Sequence, residues 1–288
     1  MHKLTKKQWK DRERILAWLG NQPFQENSRS KPAVLQLEVL EVLETYCPPD
    51  VTGAGQFFTP LEASGMAYSY CCLLPASGSR IADFGAGIGH LLYHLQPYAD
   101  DIALDAWEIE EECVEIGKRL FPWARWRLEI PFDNLSEIEG QYDYVVCNPP
   151  FNTRRGMYPG DQMVEGRCKT SAHIFLELCV RALKSEGMAI VFGPYNLIDG
   201  LPKKAAAWFE EHALLDYTTP VLPGDFRLTA IQVHAFRIGR RELLTAVERI
   251  EEERARLDSQ GREAIYASEW TRPTVQIGND YVMQPRLL

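Results

Sequence analysis

Residues 79–95 read SRIADFGAGIGHLLYHL. A short apolar run carries a single acid, Asp83, then breaks into Gly85, Gly87 and Gly89 before the apolar residues resume. The pattern predicts a strand over 79–84 and a helix opening at 89–95. Glycines at such a junction let the backbone approach a ligand closely and leave helix N–H groups facing it. The spacing is Gly-x-Gly-x-Gly rather than Gly-x-Gly-x-x-Gly, so a dinucleotide is the weaker fit.

Working outward, strands and helices alternate. Strands are expected over 102–109, 125–129, 142–147, 188–192, 214–221 and 230–238, with helices over 111–120, 171–183 and 203–212. A turn at Ser185-Glu186-Gly187 precedes the strand at 188. This alternation predicts an α/β fold, a doubly wound and mostly parallel sheet of Rossmann-like type. Residues 1–50 read as a helical extension, with helices over 8–19 and 33–46. Residues 51–240 form the expected main domain, and 241–288 hold a highly charged helix over 240–257 and a polar tail.

At 288 residues and 45% hydrophobic, the chain can bury a substantial core. The N-terminus is basic but leads into no apolar segment of secretory type, and no stretch has the length a membrane span needs. Seven cysteines without CxxC spacing point to reduced thiols in a cytoplasmic setting rather than disulfides or zinc. His90 and His94 stand four apart, but no third ligand presents itself, so no metal is expected. The formal charge of −9 gives no global pull toward nucleic acid, whose binding would then rest on local basic patches or a partner.

Two acids stand near the ends of the next strands. Glu108 falls nineteen positions after Gly89, where a carboxylate could accept ribose hydroxyls, and Asp105 is the competing candidate. Asp133 lies fifteen residues before Asn148, placed to hold an adenine amine. Residues 142–153, YDYVVCNPPFNT, then end a buried-looking strand in two prolines, which have no N–H to give and lock φ. Such a bend could hold a flat amine: the Asn148 side-chain oxygen and the Pro149 carbonyl each accept one N–H. Cys147 reads as strand filler rather than a nucleophile.

Three stretches now stand in one order: GQFFTP at 55–60, DFGAGIGH at 83–90 and NPPF at 148–151. Together they resemble the class I S-adenosylmethionine-dependent amino-methyltransferases, particularly the DNA adenine-N6 group related to type I restriction modification subunits. The resemblance covers about residues 50–240. It implies S-adenosylmethionine as cofactor, with Phe58 and Thr59 at its methionine end and Asp83, Gly85 and Gly87 lining it. Glu108, with Ile109 beside it, would hold the ribose, and Asp133 the adenine. Asn148, Pro149, Pro150 and Phe151 would form the catalytic bend, Asn148 also bordering the cofactor.

The implied substrate is DNA with an adenine flipped out between Phe151 and Phe226. Arg154 and Arg155, in a basic loop following the bend, could meet phosphates; the length of that loop, 152–170, suits a substrate-closing lid. DNA enzymes of this kind carry a recognition region after the catalytic domain, whereas 48 residues follow Arg240 here. Specificity is then low, or comes from a partner subunit or a second copy. An enzyme of the same fold acting on RNA or protein glutamine, or a non-catalytic cofactor-binding subunit, is the alternative.

Overall fold

Strand β1 (Arg80–Phe84) is buried along all but its first residue, the signature of a central strand covered on both faces. It pairs in parallel with β2 (Ala103–Glu108) on one side and β4 (Tyr142–Cys147) on the other. The computed structural model describes residues 58–150 apart from 72 and 74, then 170–220, 233–240, 275–277 and 280–282, with nine positions between 6 and 40. The outer strands are β3 (Arg125–Leu128), β5 (Leu183–Pro194), β6 (Ala213–Pro220) and β7 (Val233–Arg240). Their order in the seven-stranded sheet is β3-β2-β1-β4-β5-β7-β6. Only β7 runs against its neighbours.

Strand parity sends alternate side chains to opposite faces. Ile81, Leu104, Ala106, Val146 and Ile190 join one core. Helix α1 (Leu61–Tyr70) and helix α2 (Glu111–Leu120) cover that core through Leu61, Ala67, Cys113 and Ile116. Ala82, Phe84, Trp107, Val145 and Val191 join the other. The short helix α3 (Leu135–Ile138), α4 (Ser171–Ala182) and α5 (Lys203–His212) cover it. The sheet is therefore doubly wound, as the alternation predicted.

Helix α2 follows local rules closely. Glu111 and Glu112 lie in its first turn and Lys118 and Arg119 in its last, matching the helix dipole. Its Gly117 lets Trp126 of β3 lie against the helix, since a Cβ there would come within 2.1 Å of the indole.

Two expectations need correction. Residues 89–95 do not open an α-helix: they form tight turns leading into a 3₁₀ helix at Tyr93–Tyr98. Gly87 and Gly89 have φ of +56° and +99°, outside the helical range, and Pro97 has no N–H to extend an α-helical ladder. The bonds run three residues back instead, Gly89 to Ala86 and Leu92 to Gly89. Ser185-Glu186-Gly187 lies inside β5 rather than before it, and its excess length emerges as a register shift opposite Tyr142 and Tyr144.

The described residues at 6, 7, 10, 11, 13, 14, 17, 39 and 40 are helical, and Val39 and Leu40 are buried. The expected helix over 240–257 lies outside the described residues. The chain divides into two compact units, 1–241 and 242–288. In the second, β8 (Val275–Ile277) and β9 (Asp280–Val282) form an antiparallel pair. No helix among the described residues is long and apolar enough to cross a membrane.

Candidate active site

Register places the site. Phe84 pairs with Trp107 and Asp83 with Val146, so Gly85, Glu108 and Asn148 stand level, one row past the end of β1. Glu108 and Asn148 flank Gly85 on either side, roughly 9–10 Å apart by ordinary strand spacing. By parity Asp83, Glu108 and Asn148 share the face of Ile81, Ala106 and Val146. Strand order reverses between β1 and β4, where a crevice opens beyond the carboxyl ends of the strands.

Asp83 is fully buried, and neither of its carboxylate oxygens has a hydrogen-bond partner among the described residues. Burial raises its pKa well above the carboxylate range, and the Glu108 charge adds to the effect. The buried Tyr68 hydroxyl donates to the Leu91 carbonyl at 2.9 Å, and its own pKa is raised by burial and by Asp83. A carboxylate sealed in this way calls for a cationic partner.

Glu108 is also buried, but three backbone donors engage it and leave part of its acceptor capacity open. Its Oε2 accepts from the Gly87 N–H at 2.7 Å, and Oε1 accepts from the Ile109 and Glu110 N–H groups at 2.7 and 3.0 Å. Burial raises its pKa, while these three backbone donors pull it down. The Gly85 and Ala86 N–H groups both donate to the Trp107 carbonyl at 2.9 Å. The glycine-loop amides are thus spent on tying the loop to β2, contrary to the expectation that they face a ligand. Gly85 has φ of +79°, and a Cβ there would point into open space.

The competing acid, Asp105, has other partners. Asp105 lies on the opposite face, accepting from Arg80 Nη2 at 3.1 Å, Tyr142 Oη at 2.8 Å and Arg125 Nε. Burial works to raise its pKa, but these three donors together bring it below the usual range.

Phe58 and Thr59 border the loop. The Phe58 ring lies over Gly87, where a Cβ would come within 2.8 Å of it, and Thr59 is buried. Ile109, directly after Glu108, is 37% exposed, unusual for its size, and Leu128 at the paired end of β3 is 48% exposed. Asp133 is exposed, in a 3₁₀ turn at Pro131–Asn134.

At the bend, Pro149 is buried, Asn148 and Pro150 are partly so, and Asn148 Oδ1 is shielded from solvent. The Ser171 hydroxyl donates to the Pro150 carbonyl, anchoring the outgoing peptide to the start of α4. Thr170 caps that helix through the His173 N–H. Sequence reading missed Ser171; the polar Thr-Ser pair heading an apolar helical run was the available signal. Cys147 Sγ donates to the Phe84 carbonyl at 3.1 Å, and burial pushes its thiol far above reactive values, in keeping with strand filler. Phe151, Arg154, Arg155, Phe226 and the rest of the basic loop lie outside the described residues.

His90 and His94 serve as hydrogen-bonding residues, with ring nitrogens on the Leu40 and Leu61 carbonyls respectively. Among the described residues no group of three or more His, Cys, Asp or Glu gathers as a metal site.

Residues 70–191 match the family model described as the methyltransferase small domain. A tRNA1(Val) (adenine(37)-N6)-methyltransferase of Flavobacterium psychrophilum is 33% identical over 125 residues, covering 40% of this chain and 53% of the relative. Its Aliivibrio fischeri counterpart is 29% identical over 38% of this chain and 50% of its own length. The chain thus spans about half the length of these relatives. Among solved structures, a type I restriction-modification methyltransferase subunit of Streptococcus thermophilus matches with a TM-score of 0.59 and 16% identity, over 71% of this chain and 48% of that one. A Listeria monocytogenes protein described as a class I S-adenosylmethionine-dependent methyltransferase matches at 0.56 and 15%, over 72% and 66%. The fold is the Rossmann-like fold of class I methyltransferases, and family match and fold together support S-adenosylmethionine as cofactor.

Proposed function

We propose that this protein transfers the methyl group of S-adenosylmethionine to the exocyclic N6 amine of adenine in nucleic acid. The observation that carries this reading is the buried Asp83 side chain, without a hydrogen-bond partner among the described residues, beside an open glycine, on the same sheet face and at the same strand ends as the Asn148-Pro149 bend. An amino-acid ammonium is the group such a carboxylate lacks. Glu108 offers ribose hydroxyls a carboxylate already oriented by three amides, and exposed Ile109 offers the adenine ring an apolar face. Phe58 and Thr59 would close the methionine end, and Asp133 would reach the adenine amine.

When bound, the cofactor supplies an electrophilic methyl group on a sulfonium sulfur. The chain's part is to present the acceptor. Adenine N6 is a poor nucleophile because its lone pair is delocalised into the ring. Accepting its two N–H bonds on Asn148 Oδ1 and the Pro149 carbonyl favours a pyramidal nitrogen with its lone pair free to attack. The gain is orientation and electrostatics rather than a covalent intermediate. Pro149 and Pro150 offer no competing donors, and the Ser171–Pro150 bond fixes the direction of the bend. Phe151 and Phe226 would stack on the flipped base, with Arg154 and Arg155 meeting phosphates.

For the polymer, GQFFTP favours DNA, with specificity supplied by a partner subunit or second copy. RNA is the second reading, favoured by relatives named for tRNA1(Val) adenine-37 and, for a Photobacterium profundum protein 32% identical over 82 residues, for small-subunit ribosomal RNA. The test is methyl transfer from tritiated cofactor to DNA, RNA and protein offered separately. Label in N6-methyladenine is expected, with Asn148→Ala lowering the rate about 100-fold or more while cofactor binding persists. Label in glutamine, or a wild-type rate in Asn148→Ala, overturns the proposal.

A further inference from the structure

His90 has no place in the chemistry just described, yet it is 2% exposed and touches both sides of one seam. Its ring stacks on Phe58 with centroids 5.0 Å apart and planes 20° from parallel. Its Nε2 lies 3.2 Å from the Leu40 carbonyl, which can only accept, so Nε2 carries the proton. The other nitrogen, Nδ1, is buried without a hydrogen-bond partner among the described residues. Burial pushes the pKa down to about 4, against a smaller opposing effect of the Leu40 bond, so the ring is neutral at physiological pH.

An ordinary core residue would not need this arrangement. A phenylalanine would stack equally well and leave no orphaned nitrogen; what histidine adds is the N–H to Leu40. That bond spans fifty positions of sequence. Phe58 in turn presses on Gly87, whose N–H is held by Glu108. The contacts form one chain: Leu40, His90, Phe58, Gly87, Glu108.

We infer that His90 is a positioning residue that couples the helical segment around Leu40 to the cofactor wall formed by Phe58 and Gly87. This rests on the cofactor reading above. Its consequence is that occupancy of the site quiets the backbone at Leu40 through the His90 N–H, while the stack of His90 on Phe58 supports cofactor affinity.

The test uses the full chain and S-adenosylhomocysteine as probe, reading affinity by calorimetry and backbone protection by hydrogen–deuterium exchange of peptides within 33–46. In the wild type the probe should slow exchange there. His90→Phe keeps the stack and removes the N–H, so the probe should bind within about threefold of wild type yet no longer slow exchange around Leu40. His90→Gln keeps a donor and loses the flat ring, so affinity should fall about three- to tenfold, the effect of one aromatic stack. A merely structural histidine would lower melting temperature in both variants and leave the probe's effect on exchange intact. Undiminished protection in His90→Phe overturns the inference, as does unchanged affinity in His90→Gln. Failure of the probe to bind wild-type protein overturns the cofactor reading itself, which separates the two.

Discussion

Asp83→Asn should act in opposite directions on the free protein and on its complex. In the free protein both carboxylate oxygens are buried without partners among the described residues, and the Glu108 charge lies near. The folded pKa of Asp83 is raised, so its contribution to stability is fully present below the unfolded value near 3.9 and is lost as pH rises through the folded pKa. An amide has no charge to desolvate. Asp83→Asn should therefore melt no lower than wild type, and its advantage should widen as pH rises through the folded pKa of Asp83. In the complex the carboxylate would gain a charge-assisted bond to an ammonium, about 1.5–3 kcal/mol, which corresponds to roughly 10- to 150-fold in dissociation constant. Binding should also release protons at pH values where free Asp83 is protonated, and Asp83→Asn should abolish that release. Calorimetry in buffers of different ionisation enthalpy measures both quantities, and thermal melts across pH measure the first. A variant that melts lower than wild type and binds S-adenosylmethionine equally well would refute the assignment of Asp83 as the ammonium partner.

Three further outcomes are expected. Gly117→Ala places a methyl where Trp126 now lies, 2.1 Å away, and should cost about 1–3 kcal/mol of stability; a denaturant melt unchanged in midpoint would contradict that packing. Asp105→Asn should destabilise by about 1–3 kcal/mol at neutral pH, since Tyr142 and two arginines lose the charge of their shared acceptor and one of its two oxygens. Because the Asp105 pKa is depressed, that difference should shrink as pH falls through its folded value, and a difference constant down to strong acid would count against the cluster. Ile109→Ser should weaken S-adenosylmethionine binding several-fold while leaving the melt nearly unchanged, because the side chain is over a third exposed; wild-type affinity by calorimetry would remove it from the adenine face.

The legible features were those set by local periodicity and strand parity. Alternation alone gave β1, β2, β4, α2 and α5 nearly to the residue, and therefore the end of the sheet where Asp83, Glu108 and Asn148 converge. What stayed hidden depended on distant partners. Asp105 and Glu108 both look like candidate acids in sequence; Arg80, Arg125 and Tyr142, brought in from three other strands, mark Asp105 as a structural carboxylate. His90 looked unremarkable because its partner Leu40 is fifty residues away. Gly89 looked like ligand-facing backbone but accommodates the Phe121 ring, which a Cβ would meet at 2.5 Å.

The glycine loop also decides what kind of ligand the crevice can take. A loop that cradles pyrophosphate needs free amides and no acid nearby. Here Gly85 and Ala86 give their N–H groups to Trp107, Gly87 gives its own to Glu108, and two buried acids stand at the adjacent ends of β1 and β2. An anion would find these three amides already bonded and two acidic side chains beside them. On the proposed reading, a ligand with an ammonium and ribose hydroxyls would meet Asp83 and Glu108 instead. The loop would then disfavour dinucleotides through hydrogen bonds already made, beyond what the glycine spacing alone implies. NAD at millimolar concentration should leave the melting temperature unmoved while S-adenosylhomocysteine raises it, and a shift with NAD would show that those amides can be released.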